Sequence, residues 1–317
     1  MITAAVLAAA AWLVSAVTAP WLVRSLPPAT ATRLLVLTSA AVTGGGALLG
    51  MLLAVPWLAQ QPVLGRFGPW STAALRSGDP VPAWVSAILS VAVLGCLTGA
   101  VAHAVRRVRA IAAIRRACAG LADDDGLVVL PAERPEAFST PPPAGLVVLS
   151  TGLLERVPAE ELTVVLAHER SHLAHGHVWY ALAADLAAAG NPLLAPTARA
   201  VRHAVERWAD EDAAAHVADR RLAARALART ALLTGPTAAA PATLGAADSQ
   251  VAQRVAALLT GAPRRRTLPA VILLVLLLAG AGAAGLTERR TDDLLDHAHA
   301  PAAVNHRAGH GENRAAR

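Results

Sequence analysis

The chain has 317 residues, of which 55% are hydrophobic and only 16% charged, with a mean hydropathy of +0.47. Soluble globular chains carry about a quarter charged residues, so this composition excludes an ordinary soluble domain and points to membrane spans. The net charge of +6 comes from arginine alone, since the chain has no lysine. Those arginines cluster beyond apolar stretches, which favours a membrane topology signal over direct nucleic-acid binding.

Four stretches, 2–23, 33–58, 82–105 and 268–287, are apolar over the roughly 20 residues that a helix needs to cross a bilayer. The first has no positive charge ahead of it and too long an apolar run for a signal peptide, so a span is expected. The second contains Gly44-Gly45-Gly46, which membrane helices tolerate because glycine permits close packing. Cys96 lies inside the third stretch and Cys118 beyond it. Neither belongs to a Cys-x-x-Cys pattern, and no disulfide is expected between them.

Arginine placement sets the expected orientation. Arg24 and Arg33 flank the first short loop. Arg106, Arg107, Arg109, Arg115 and Arg116 follow the third stretch, and Arg264, Arg265 and Arg266 precede the fourth. The opposite loop has only Arg66 and Arg76, although Arg289 and Arg290 after the fourth stretch weigh the other way. The positive-inside rule then places the N-terminus and the C-terminal tail outside, and the region between the third and fourth spans in the cytoplasm.

That region opens with an acidic turn, Asp123-Asp124-Asp125-Gly126, followed by a β-branched run, Leu127–Leu130. A Pro-rich loop at 140–143 leads to a second buried strand at Gly145–Ser150. From Thr151 the chain reads as helix up to a Gly/Pro-rich linker at 235–242. The tail 288–317, with His297, His299, His306 and His310, is expected to be disordered. The expected fold is a mainly α membrane protein with an α+β domain. Residues 1–110 form three spans, 111–266 the cytoplasmic domain and 267–287 a fourth span, before the tail.

The segment from Pro158 to His177 carries the chemistry. Pro158 suits a first helical turn, Glu160 and Glu161 suit the positive end of the helix dipole, and Leu162, Val165 and Leu166 supply an apolar face. On this helix lies His168-Glu169-Arg170-Ser171-His172, an H-E-x-x-H motif. Residues four apart share a face, so both imidazoles can bind one Zn²⁺ while Glu169 reaches a water beside it. Catalytic zinc usually takes a third protein ligand. After the break Gly190-Asn191-Pro192, the segment Glu206-Arg207-Trp208-Ala209-Asp210 places Glu206 and Asp210 on one helix face. Glu206 can complete a His-His-Glu site, and Asp210 can orient a ligating histidine by accepting its distal N–H.

Three features resemble membrane zinc metallopeptidases of the BlaR/MecR antirepressor type, and more distantly the HtpX and CAAX-prenyl-protease type. They are the strand-to-helix run at 145–172, the Asn191-Pro192 break and the later E-R-W-A-D at 206–210. The resemblance implies a zincin-like protease domain with Glu206 as third ligand, one zinc per chain and a protein or peptide substrate. A transcriptional repressor or the chain itself is the candidate substrate. The antirepressors carry a penicillin-binding sensor after the fourth span. Here residues 288–317 follow, with no S-x-x-K motif, so no direct β-lactam sensing is expected.

Other residues read more plainly. His175 and His177 miss the metzincin spacing and read as polar residues near a helix end, lining the cleft. Glu211 and Asp212 read as solvated helix surface, as do His203 and His216, for which stabilising an oxyanion is the alternative. The alternative function is a non-proteolytic membrane signalling or scaffold protein with a structural or silent zinc site. Glu169 argues against it, since a structural site needs no acid/base. A transporter is disfavoured because the four spans hold no central acid or base.

Overall fold

The computed structural model describes residues 2–61, 75, 78–117, 126–141, 145–234, 244–261 and 267–299. The acidic residues 123–125, Pro142, Pro143, the 235–242 linker, Cys118, Arg66, Arg76, Arg264 to Arg266, His306 and His310 lie outside the described residues.

Four helices are long and apolar enough to cross a membrane. They are α1 (Ile2–Leu22), extended by a 3-10 turn to Ser25, α2 (Pro28–Ala59), α3 (Ala83–Ala117) and α10 (Leu268–His299). They coincide with the four expected spans, the third beginning at Ala83, and suggest a membrane protein. α10 runs on to His299, so 288–299 is helical where an irregular tail was expected. An established helix propagates at little cost, and no Gly or Pro interrupts the run before Pro301. Small residues let the spans approach closely. The Trp12 ring of α1 fills the space that a Cβ on Gly45 of α2 or Gly280 of α10 would need.

Between α3 and α10 lies a three-stranded sheet of order β1-β3-β2. The two apolar runs form strands as expected, and β1 (Leu127–Leu130) runs parallel to β3 (Val147–Ser150). β2 (Ala137–Ser139) is an unexpected antiparallel edge strand. It spans three residues between Pro135 and Pro141, too short to show an alternating pattern. Ser150 links sheet to helix: its hydroxyl accepts from Glu136 N at 2.9 Å and caps α4 (Thr151–Arg156) through Leu153 N at 3.1 Å.

The remaining helices are α5 (Ala159–Ala174), α6 (His177–Gly190), α7 (Ala195–Val217), α8 (Arg220–Thr234) and α9 (Leu244–Thr260). α6 and α7 form a hairpin packed against α1, α2 and α3. At its tip, Leu194 is buried with Ala8, Trp12, Ala16 and Val42. Nearby, Thr43 Oγ1 donates to the Ala187 carbonyl at 3.4 Å and Thr197 Oγ1 to the Ala16 carbonyl at 3.3 Å. The Ala-rich sequence of α6 and the Asn191-Pro192 turn make this hairpin slim and apolar enough to sit there. The buried Asp185 of α6 is held by Arg107 of α3 at 2.9 Å and by Arg202 of α7, which neutralises a charge that would otherwise be costly to bury.

Candidate active site

α5 presents His168 and His172 one turn apart. Its first turn is anchored by Glu161, which is buried and accepts from Arg229 Nε of α8 at 2.6 Å. Val164 and Val165 bury another part of the helix surface. α7 packs along α5 and brings Glu206 and Asp210 to the same place.

The two histidine Nε2 atoms lie 3.1 Å apart. Glu206 oxygens stand 3.6 Å from His168 Nε2 and 3.7 Å from His172 Nε2. One ligand atom from each residue falls within 4.8 Å of the others, a group that can hold a metal ion. A tetrahedral Zn²⁺ with bonds of ~2.0–2.1 Å spaces its ligand atoms about 3.3 Å apart, so the separations fit that ion. The far nitrogens of both rings are also held. His168 Nδ1 lies 3.1 Å from Asp210 Oδ1, and His172 Nδ1 lies 2.9 Å from His177 Nδ1. A histidine that ligates through Nε2 must carry its proton on Nδ1, and each Nδ1 here faces an acceptor.

Arg254 of α9 completes the arrangement. It donates to both Asp210 oxygens at 2.7 Å and lies 3.0 Å from Glu206. The two carboxylates differ in exposure: Asp210 is 6% exposed and Glu206 40%. Asp210 is therefore the inner carboxylate, held against His168 and Arg254, and Glu206 is the one open to the cleft.

The charges follow from this geometry. Burial pulls His168 down, but hydrogen bonds to Asp210 and Glu206 outweigh it and raise the group to about 10. Burial would push Glu206 and Asp210 up. Hydrogen bonds from His168 and Arg254 instead hold both below the usual carboxylate range. Burial, with the charge on His168, lowers His172 to about 4. Burial, then His172 and His175, lowers His177 to about 3, which keeps it neutral and able to accept. His168 is thus the imidazole that carries a positive charge, beside Arg254 and the two carboxylates, while His172 and His177 stay neutral. Glu169 is raised by burial, partly opposed by His168 and by a hydrogen bond from Ser139 of β2.

Two clefts meet at His168, Glu169 and Glu206. One, of about 480 Å³, is bordered by the edge strand β2, His172 and His177. The other, of about 290 Å³, runs between α5, α8 and α9 and is walled by Val164, Ala226, Leu227 and Leu258.

The five residues singled out from the sequence, His168, Glu169, His172, Glu206 and Asp210, are therefore brought together. His175 is not among the converging atoms: it turns to Asp212 at 2.9 Å and stacks on Trp208 at 4.5 Å. Asp212 also accepts from Ser171 at 2.7 Å, and Glu211 pairs with Arg220 at 2.7 Å, so neither acid is plain solvated surface. His216 is exposed, as expected, while His203 is half-buried. His177 lines the larger cleft as expected, but its contact with His172, like the contacts of Arg254 and Ser139, was not anticipated. The left-handed turn at Gly176 (φ 61°) is the local signal for His177, because it reverses the chain and returns the next side chain towards α5.

The model of Peptidase family M48 matches residues 103–266. The chain belongs to peptidase family M48. Membership makes it a metallopeptidase-type hydrolase of a zinc-dependent family, and the matched span covers every residue of the site described above. No curated protein and no solved structure matches the chain.

Proposed function

We propose that the protein is a membrane-embedded zinc endopeptidase that cleaves a membrane-proximal or cytoplasmic polypeptide. The observation that carries this reading is the convergence of His168, His172 and Glu206 within 4.8 Å, beside Glu169 and at the meeting of two clefts. Bound Zn²⁺ supplies polarisation of the scissile carbonyl and activation of water. Glu169 takes the proton from the attacking water and later delivers it to the leaving amine, a role helped by burial, which raises its carboxyl above the ordinary range. Asp210 and His177 hold the two imidazoles in the required tautomer. The outer edge of β2 borders the larger cleft and offers backbone groups to an extended peptide.

The site sits at the arginine-rich end of the spans. Arg33 of α2 lies 5.1 Å over the Trp208 ring, whose centroid is 4.8 Å from that of His177. The positive-inside rule makes this the cytoplasmic face. A transcriptional repressor or the chain itself is the candidate substrate, supported by the resemblance to the antirepressors.

The test compares zinc content and peptide cleavage. The parent is expected to carry about one zinc per chain and to cleave peptides. Glu169→Gln should keep the zinc and lose cleavage, whereas the His168→Ala, His172→Ala double variant should lose both. A parent that holds zinc and cleaves nothing favours the scaffold reading. Full zinc in the double variant overturns the site.

A further inference from the structure

A second cavity, of about 750 Å³, lies outside the site, between the turn that joins α1 to α2, the start of α7 and one side of α9. Arg24, Arg199 and Arg207 line it together with His203, Gln250 and Gln253, and no carboxylate does so among the described residues. The arginines of the helix packing, Arg107, Arg202, Arg220, Arg229 and Arg254, each hold a carboxylate, whereas Arg24, Arg199 and Arg207 face the cavity. The buried Nδ1 of His203 has no partner. Three guanidinium groups, an imidazole and two amides form a donor-rich cradle for a phosphate, whose oxygens accept bidentate guanidinium bonds.

The position of the cavity indicates where that phosphate comes from. Thr197 bonds to Ala16 within α1, so Arg199 stands near the level of Pro20, just inside the end of the span. Trp21 is 65% exposed and has Arg24 stacked 4.1 Å over its ring, an arrangement suited to the membrane–water boundary. Pro20, Val23 and Leu26 give the cavity an apolar wall beside its charged one. Basic pockets between membrane helices at this depth suit lipid head groups.

We propose that this cavity binds the phosphate of an anionic membrane lipid, and that the bound head group clamps α9 onto α7. Arg207 directly follows Glu206, and Gln253 directly precedes Arg254, so the cavity walls adjoin the residues that build the metal site. The inference rests on the four helices being membrane spans and not on peptidase activity.

Full-length protein in zwitterionic detergent is titrated with short-chain phosphatidylglycerol, phosphatidylcholine or inorganic phosphate, and binding is followed by native mass spectrometry and thermal melting. Phosphatidylglycerol should form one saturable adduct and raise the melting temperature, and phosphatidylcholine should do neither. Arg24→Gln, Arg199→Gln, Arg207→Gln together should weaken the adduct by on the order of 100-fold, about fivefold per arginine. Arg289→Gln, Arg290→Gln, outside the cavity, should leave it unchanged. Should the triple variant fail to fold, Arg199→Gln alone, at an exposed position, should still show its fivefold loss. Equal binding of phosphatidylcholine, or equal loss in the Arg289, Arg290 control, overturns the proposal. Inorganic phosphate that saturates the cavity without being displaced by lipid assigns it to a soluble anion and overturns the lipid source. A chain that fails to float with phosphatidylcholine vesicles overturns the membrane reading beneath the proposal, whatever its cleavage activity.

Discussion

The Nδ1 atoms of His172 and His177 lie 2.9 Å apart, and His177 is 1% exposed at the first turn of α6. With Nε2 of His172 turned to the metal site, its Nδ1–H donates to His177, which fixes the ring. His177→Ala should cost about 10–100-fold in zinc affinity or activity, as loss of such outer partners does. His177→Gln keeps an acceptor and should recover part of the loss. Zinc titration beside peptide cleavage checks both variants; parental values for His177→Ala would reduce the contact to core packing.

Arg254 faces two carboxylates while only 13% exposed. Arg254→Met leaves Asp210 buried with His168 as its remaining partner, and breaking a buried pair costs about 3–5 kcal/mol. The sign of the pH dependence follows. Arg254 helps to hold Asp210 and Glu206 below their ordinary values, so their contribution is present above the ordinary carboxylate range and persists until pH falls through the lowered values. In Arg254→Met, acid unfolding should begin at higher pH. Thermal melts of the metal-free protein across acidic pH measure both effects, and a parental acid midpoint would sink the assignment.

These two residues show where sequence reading stops. His168, Glu169, His172, Glu206 and Asp210 were legible because ligands on a helix obey a four-residue period, and each pair lies on one helix. The spans were legible because a bilayer demands length and apolarity. Arg254 obeys no such period: it comes from α9, 44 residues after Asp210, and only the packing of α9 on α7 and α8 brings it near. β2 was missed because three residues cannot display an alternation. The insertion of α6 and α7 among the spans was hidden because their apolar faces suit a soluble core equally well.

Ser139 connects that missed strand to the chemistry. Its hydroxyl hydrogen-bonds to Glu169 and opposes the upward push of burial. Removing the bond in Ser139→Ala should raise the Glu169 pKa further. A general base works only when deprotonated, so the acidic limb of the kcat/KM profile should move to higher pH. A limb that stays in place, or moves to lower pH, refutes this role.

Arginine placement gives a topological prediction. Reporter fusions after residue 120 should report cytoplasm and fusions after residue 300 the outer side, because Arg24, Arg33, Arg106, Arg107 and Arg109 gather at one end of the spans. An external signal at 120 would move the site, and with it the substrate class, across the membrane.

The apolar cleft should govern which peptide bond is cut. Its walls are Val164, Val165, Ala226, Leu227 and Leu258, and at about 290 Å³ it has room for one large apolar side chain next to Glu169. Seating such a side chain removes apolar surface from water, and a full Leu or Phe contributes about 1.5–3 kcal/mol. Peptides with Leu or Phe beside the scissile bond should therefore be cut faster than those with Ala, by roughly 10-fold or more for such a contribution. Ala231 lines the same cleft and is only partly buried, so Ala231→Leu can fill it without displacing the core. That variant should lose the preference for Leu and Phe while its cleavage of Ala peptides and its zinc content stay near parental. Competition between matched peptides read by mass spectrometry gives the ratio directly. An unchanged ratio in Ala231→Leu would show that the substrate's apolar side chain binds elsewhere, and the cleft bordered by Phe138 and Leu173 would be the next to fill.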